Sequence, residues 1–224
     1  MQHLLLSKTV VKSKYIHEFL KHYISSKDTI LVVLYSFFTK WFKNKEMYQD
    51  YYRENSHYDN KIKLQFSSYG AKIEYLNYYN DNEDTREKKI NDATVLFFPG
   101  GSPDQMMDRL KKHNLIEKIK KFKGITIGSS AGAMIHLDKA HIYKDNDYKK
   151  FSYVEGLNFI KDFDFSVHYR RKIQQKKAIR KVWKEKPKDI YSIPDDGGLF
   201  YDQGEIHLLG SAKKIYDKNG IIKK

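Results

Sequence analysis

A serine surrounded by small residues is the first feature of this sequence that could do chemistry. The apolar segment Gly124–Gly128 runs directly into Ser129-Ser130-Ala131-Gly132-Ala133, which makes Ser130 the centre of a Gly-x-Ser-x-Gly motif. A sharp strand-to-helix turn requires glycine and alanine, because a larger neighbour of the serine would collide with the strand or the helix. The motif therefore predicts a nucleophile elbow, with the backbone N–H of Ala131 available to an oxyanion. A non-catalytic turn that binds phosphate fits the same motif.

Two further polar clusters stand where predicted strands end. Apolar and polar residues alternate in Phe163–His168, so His168 lies on the polar face at the end of a strand. The apolar segment Ile190–Ile193 is followed closely by Asp195 and Asp196. Open α/β sheets gather their sites at the carboxyl ends of the strands. We therefore expect the serine, the histidine and one of the two carboxylates to meet at one edge of a sheet.

The elements that must position these residues alternate along the chain. Short apolar runs are separated by amphipathic segments, and this pattern predicts an α/β fold with a mostly parallel sheet and helices on both faces. The spacing of Val11, Tyr15 and Phe19, every four residues, is typical of a buried helix face. The predicted strands are His3–Leu6, Thr29–Tyr35, Ala71–Leu76, Ala93–Phe98, Gly124–Gly128, Phe163–Val167 and Asp189–Ile193.

Three other regions complete the expected fold. Residues Phe38–Tyr69 are predicted to be helical, with Gly70 as the stop. The segment Ser102-Pro103-Asp104-Gln105 is typical of a capping box, which predicts one long helix from Pro103 to about Phe122. Beyond Gly197, short apolar runs separated by glycine-containing turns predict antiparallel C-terminal strands at one edge of the sheet.

Composition narrows the class of protein. The length of 224 residues suits one α/β domain, and no repeat or linker divides it, so we predict a single domain over residues 1–224. The chain has no cysteine, which excludes disulfides and cysteine nucleophiles. Its longest apolar run, Ile30–Tyr35, is far shorter than the roughly 20 residues that span a bilayer. With no recognisable cleavable signal, we expect a cytoplasmic protein without a membrane partner.

The charge is strongly positive. Lys and Arg number 42 against 28 Asp and Glu, a formal net charge of +14, which favours polyanions. The basic residues are nevertheless scattered, except in Arg170–Lys188, and no zinc-finger or RNA-binding signature accompanies them. We therefore expect no nucleic-acid partner. His136 and His141 lack a third ligand in the sequence, and we expect no metal and no cofactor.

Several short segments occur in the order found in a known family. They are Leu4-Leu5-Leu6-Ser7, Pro99-Gly100-Gly101-Ser102 with Gln105, Gly128-Ser129-Ser130-Ala131-Gly132-Ala133, Val167-His168-Tyr169 and Ile193-Pro194-Asp195. On these residues the chain resembles, from end to end, the dipeptidase E and cyanophycinase family of serine peptidases. The resemblance implies a flavodoxin-like fold close to that of class I glutamine amidotransferases, with serine in place of their cysteine. It also implies a catalytic triad in the order Ser130, His168, Asp195.

The resemblance implies acyl transfer on a short peptide substrate. The histidine would take the proton of the attacking serine and pass it to the leaving amine, while Asp195 orients the imidazole. Backbone N–H groups of Gly100 or Gly101 and of Ala131 would bind the oxyanion. The aspartyl dipeptidase of the family has Glu as the third residue of its triad. Its segment after the histidine, which helps to select the acidic residue of its substrate, is longer than the one in this chain. Aspartate specificity is therefore not part of the expectation.

Other interpretations of the same residues stay open at this stage. Arg170 and Arg171 are candidates to bind a substrate carboxylate, although a solvated surface position is the simpler explanation of both. An α/β-hydrolase esterase would need its acid before its histidine, at Asp162 or Asp164. A non-catalytic protein could use the fold and its basic surface to bind a polyanion. The 2 Trp, 18 Tyr and 13 Phe residues leave material for a homodimer interface.

Overall fold

Two main sheets organise the protein in the computed structural model, which describes residues 1–222. The strands are β1 Gln2–Leu6, β2 Thr29–Leu34, β3 Lys72–Asn77, β4 Val95–Phe98, β5 Ile125–Ser129, β6 Lys139–Ile142, β7 Ser152–Glu155, β8 Phe163–Val167, β9 Asp189–Ile193, β10 Gly198–Asp202, β11 Glu205–Leu209, β12 Lys213–Asp217 and β13 Gly220–Ile221. The central sheet has the order β11-β10-β1-β5-β4-β2-β3. The five neighbouring strands β1, β5, β4, β2 and β3 are parallel to one another. Strand β10 pairs antiparallel with β1, and β11 pairs antiparallel with β10.

Helices cover both faces of the central sheet. They are α1 Lys14–Leu20, α2 Lys45–Tyr52, α3 His57–Phe66, α4 Glu83–Asp92, α5 Pro103–Lys112, α6 Ile116–Lys121, α7 Ala131–Met134 and α8 Ile173–Glu185. Helices α1 to α3 pack on one face of the sheet through residues such as Ile16 and Ile62. Helices α4 to α6 pack on the other face through residues such as Ile90 and Met106. The predicted α/β fold with a mostly parallel sheet and helices on both faces is confirmed. Within the described residues, no helix has the length and apolar character needed to cross a membrane.

Strand β2, which lies between β4 and β3 in the central sheet, shows why the sequence folds this way. Its residues after Thr29 are all apolar, because a parallel strand covered on both sides needs apolar residues on both of its faces. Ile30 and Val32 contact the core beneath α1 to α3, whereas Leu31 and Val33 contact the opposite core. The alternation along a strand thus assigns neighbouring residues to different cores.

Strands β8 and β9 belong to a second sheet, which the sequence did not separate from the first. This sheet has the order β13-β12-β9-β8, with β8 and β9 parallel and β12 antiparallel to β9. The antiparallel strand β10 pairs with the edge of β1, and that edge is therefore closed to a further parallel strand. Leu5, Phe165 and Ile193 lie in one apolar cluster that joins the two sheets.

The helical segments differ from the predictions in their details. The long helix expected after Ser102 is two helices, because Asn114 has a φ of 54°, a left-handed conformation that no α-helix continues through. The predicted capping box is wrong: Ser102 Oγ donates to Asp104 at 2.5 Å, and Gln105 Oε1 accepts from Thr39. The segment before Gly70 contains α2, α3 and two short 3₁₀ turns, and Gly70 ends it with a φ of 68°.

Candidate active site

Ser130 stands in a strained turn between β5 and α7. Its φ of 52° and ψ of −114° lie in a region that L-residues rarely occupy, and such strain persists only where the surroundings enforce it. The Ser130 N–H donates to the carbonyl of Leu6 at 2.8 Å. A Cβ on Gly132 would lie 1.8 Å from the Phe98 carbonyl oxygen, and one on Gly128 would lie 2.5 Å from that of Gly132. The small residues around Ser130 are therefore required by close backbone contacts.

His168 follows β8 directly and contacts both neighbours that a catalytic histidine needs. Its Nε2 is 2.9 Å from Ser130 Oγ, and its Nδ1 is 2.8 Å from Asp195 Oδ1. The backbone N–H of His168 donates to Ser7 Oγ at 2.8 Å, and its carbonyl accepts from Gln175 at 2.8 Å. These backbone contacts fix the imidazole between the serine and the carboxylate.

Sheet register brings the histidine and the aspartate together. Strands β8 and β9 are parallel neighbours, and Val167 lies opposite Ile193. His168 comes immediately after Val167, and Asp195 comes two residues after Ile193. Both side chains thus leave the same end of the second sheet, as expected for carboxyl ends of parallel strands.

Three cationic or donor groups surround the Asp195 carboxylate. Oδ1 faces the imidazole of His168, whereas Oδ2 lies 2.9 Å from Lys8 Nζ and 2.5 Å from Arg170. Burial alone would raise the pKa of Asp195, but the hydrogen bonds from His168, Lys8 and Arg170 outweigh it and hold this pKa well below its ordinary value. Asp195 is therefore ionised at neutral pH. Asp196 is hydrogen-bonded to Ser211 instead.

The two arginines named as substrate ligands lie in different places. The Arg170 guanidinium donates a hydrogen bond to the Asp195 carboxylate and so stabilises its ionised form. Arg171 lines a separate surface groove with Lys176 and Lys177. Lys8 is the contact that the sequence analysis missed. Its position two residues beyond β1, at the same strand edge as Ser130, was the available signal.

The glycine loop after β4 lies beside the serine. A Cβ on Gly101 would lie 1.9 Å from the Ser36 carbonyl oxygen, and the φ of Gly101 is 148°, so no other residue fits. A Cβ on Gly100 would approach the Ser130 Cβ to 3.3 Å. The backbone N–H groups of Gly100, Gly101 and Ala131 donate to no acceptor within residues 1–222. These three donors are free to bind an anion next to Ser130.

A buried hydrogen-bonded chain of His3, Thr126 and His136, here called the histidine relay, supports the turn that holds the serine. His136 Nδ1 donates to the Gly132 carbonyl at 2.8 Å, because a carbonyl only accepts. His136 Nε2 must then accept from Thr126 Oγ1, 2.8 Å away, and Thr126 accepts from His3 Nδ1 at 2.7 Å. His136 is fully buried, so it acts in packing. In the part of the chain that the structure describes, no group of three His, Asp or Glu residues could hold a metal ion.

The relay makes stability sensitive to mild acid. Burial lowers the pKa of His136 to about 4, and burial together with the nearby His136 lowers that of His3 to about 2. The unfolded chain takes up protons below its pKa of about 6.5, whereas the folded relay does not, so stability falls as pH falls below that value. Each histidine is expected to cost about 2 kcal/mol of unfolding free energy between pH 7 and pH 5.

Urea unfolding at pH 7 and pH 5 measures this effect. Between pH 7 and pH 5, the unfolding free energy of His136→Gln should fall by about 2 kcal/mol less than that of the wild type. The exposed His22 provides the control, and His22→Gln should retain the wild-type loss. Equal losses in His136→Gln and wild type would show that the relay is not the source.

Solved structures share the fold of this chain. A protein described as a peptidase E from Listeria monocytogenes EGD-e has 19% sequence identity and a TM-score of 0.66, with 95% of this chain and 98% of that chain covered. A peptidase from an acI-B1 Actinobacterium has 15% identity and a TM-score of 0.64, with coverage of 96% and 94%. At these identities the likeness shows the fold alone.

The family is shown by sequence. No curated protein matches the chain. The model of peptidase family S51 matches residues 50–209, which include the glycine loop, the serine turn, the histidine and the aspartate. The chain therefore belongs to peptidase family S51, the dipeptidase E family of serine peptidases.

Proposed function

We propose that this protein hydrolyses dipeptides or short peptides through a triad of Ser130, His168 and Asp195. The observation that carries the proposal is the continuous hydrogen-bonded path from Ser130 Oγ to His168 Nε2, 2.9 Å, and from His168 Nδ1 to Asp195 Oδ1, 2.8 Å. Membership in a serine peptidase family supports the same chemistry. The strained turn of Ser130 supports it further, because such conformations cluster at functional sites.

The geometry supports a defined sequence of proton transfers. The Asp195 carboxylate only accepts, so His168 Nδ1 carries a proton and Nε2 presents its lone pair to the Ser130 hydroxyl. Nε2 takes the hydroxyl proton as Oγ attacks the peptide carbonyl, and the resulting imidazolium is stabilised by Asp195. The same proton then passes to the leaving amine as the C–N bond breaks. A water molecule, activated by His168 in turn, hydrolyses the acyl-enzyme and frees Ser130.

Backbone donors beside Ser130 complete the proposed mechanism. As the carbonyl becomes tetrahedral, its oxygen gains negative charge, and N–H groups already fixed in place stabilise it most effectively. Gly100, Gly101 and Ala131 supply such groups, and none of them is used by an acceptor within residues 1–222. Each donor of this kind is worth roughly 3 kcal/mol in the transition state.

The esterase alternative finds less support in the contacts of its candidate acids. Asp164 lies 3.3 Å from His141 and 3.7 Å from Lys188, and not beside His168. Asp162 interacts with Tyr201. The carboxylate at His168 is Asp195, which follows the histidine in sequence, whereas an α/β-hydrolase places its acid before the histidine.

The proposal is tested by incubating a library of dipeptides and short peptides with wild-type protein and with Ser130→Ala. Released amines are followed by mass spectrometry. Hydrolysis by the wild type is expected, and its loss in Ser130→Ala shows that Ser130 is the nucleophile. Hydrolysis that persists unchanged in Ser130→Ala, or a wild type that cleaves no peptide in the library, would reject the proposal.

A further inference from the structure

Two cavities adjoin Ser130, and the side chains of Ser130 and His168 line both of them. The first has a volume of about 200 Å³ and also contains Gly101 and Ala131. The second, about 550 Å³, also contains Gly100. A peptide attacked by Ser130 must extend from the scissile bond in both directions. The two cavities are therefore the spaces available to the two parts of the substrate.

The first cavity, here the acidic cavity, has carboxylates in its lining. Asp145 and Asp147 line it, and its described lining includes no lysine and no arginine. The chain as a whole has a formal net charge of +14, so a cavity lined by carboxylates without lysine or arginine differs in charge from the rest of the protein. Asp147 is paired with Lys40 at 2.7 Å, whereas Asp145 is in no ion pair within residues 1–222. A neighbouring cleft shares both carboxylates and is also lined by Lys144, Arg170 and Lys172, so these cationic groups lie outside the lining of the acidic cavity itself.

The wall of the acidic cavity also holds an unused polar group. Ser166 lines this cavity and is only 3% exposed. Its Oγ has no hydrogen-bond partner in the described structure. A buried hydroxyl without a partner costs free energy, and a bound group with a donor or acceptor would remove that cost.

The second cavity, here the basic cavity, has the opposite charge. Its lining includes Lys8, His57 and Lys61, and among its described lining residues there is no aspartate and no glutamate. Lys8 reaches Asp195, whereas Lys61 is exposed and is in no ion pair within the described residues. An ammonium group at the edge of a cavity attracts a carboxylate into it.

We propose that the two cavities bind the two charged ends of a short peptide, the α-ammonium group in the acidic cavity and the C-terminal carboxylate in the basic cavity. This inference rests on the proposed function and deepens it. A dipeptide is a zwitterion whose charges lie on either side of the bond to be cleaved. Opposite charges in the two cavities hold the dipeptide in one direction and reject the reversed one, because like charges would then meet.

The test uses a pool of dipeptides with uncharged side chains in three forms: unmodified, amidated at the C-terminus and acetylated at the N-terminus. We expect amidation to lower the wild-type kcat/KM about tenfold, since it removes the negative charge that all the cationic groups of the basic cavity share. Lys61→Gln should lower kcat/KM for the unmodified pool about two- to fivefold, the range for one exposed ion pair, and leave the amidated pool unchanged. Asp145→Asn should slow the unmodified pool and not the acetylated one.

Lys27→Gln provides the matched control, because Lys27 is exposed and lies on the loop before β2, away from both cavities. It should cleave all three pools as the wild type does. Equal wild-type rates on unmodified and amidated pools would overturn the inference. Equal effects of Lys61→Gln on both pools would overturn it too, since the lysine would then not act through the carboxylate.

Binding to Ser130→Ala separates this inference from the proposed function. Calorimetric titration of that variant with the unmodified and amidated pools requires no hydrolysis. Tighter binding of the unmodified pool supports the charge-sorted cavities, even if the wild type cleaves none of the peptides. Equal binding of the two pools, or no binding of either, would overturn the inference whatever the hydrolysis experiment shows.

Discussion

Asp195→Asn is expected to lower kcat about 10⁴-fold, whereas Asp196→Asn should leave it nearly unchanged. In the proposed mechanism, the Asp195 carboxylate accepts a hydrogen bond from His168 Nδ1–H and stabilises the imidazolium that forms during acyl transfer. An asparagine there removes the charge and favours the tautomer whose Nε2 cannot accept the serine proton. Asp196, although adjacent in sequence, is hydrogen-bonded to Ser211. Steady-state hydrolysis of the best library peptide by the two variants measures the difference.

The paired substitution also guards against a simple loss of folding. Asp195→Asn leaves Lys8 and Arg170 without their carboxylate, so circular dichroism and thermal unfolding must accompany the kinetics. A folded Asp195→Asn with a low kcat supports the assignment of the acid. If Asp196→Asn loses more activity than Asp195→Asn, the acid of the triad is Asp196 and the assignment is wrong.

Gly132→Ala is expected to destabilise the fold by at least about 4 kcal/mol, among the largest effects of a single substitution. The added Cβ would lie 1.8 Å from the Phe98 carbonyl oxygen and 2.4 Å from the carbon. Backbone on both sides must move, because no flexible side chain is available to give way. For a chain of this size, such a loss lowers Tm by about 10 °C or more, which differential scanning calorimetry measures.

Gly100→Ala is the matched control for this prediction. Its Cβ would meet only the Cβ of Ser130, at 3.3 Å, a contact that a small shift relieves. We expect Gly100→Ala to fold with nearly the wild-type Tm and to lose activity, since the shift falls on Ser130. A Tm for Gly132→Ala equal to that of Gly100→Ala would mean that the turn after Ser130 is looser than its contacts indicate.

Much of the fold follows from local patterns. All seven strands named from the sequence exist, with ends that differ by a few residues, because a buried parallel strand leaves an apolar run bounded by polar residues. The sequence did not indicate that β8 and β9 belong to a second sheet, together with β12 and β13. That outcome depends on which strand pairs with the free edge of β1, and the pairing of β10 there is a long-range contact with no local signal.

The sequence also indicated some residues of the candidate site and missed others. Ser130 is marked by the small residues around it, and His168 and Asp195 are marked by their places after apolar strands. The choice between two adjacent aspartates was open from the pattern alone, because it depends on the direction in which the chain leaves β9. The contacts of Lys8 and Arg170 with the Asp195 carboxylate join distant parts of the chain, and no spacing rule predicts them.

The three residues of the proposed triad are divided between two sheets. His168 and Asp195 follow paired strands of the smaller sheet, whereas Ser130 follows a strand of the central sheet. The hydroxyl of Ser7 joins the sheets, since it donates to the Ile193 carbonyl and accepts from the His168 N–H. The distance between Ser130 Oγ and His168 Nε2 therefore depends on how the two sheets pack against each other. We therefore expect the proposed hydrolysis to be lost at a lower denaturant concentration than the secondary structure of either sheet.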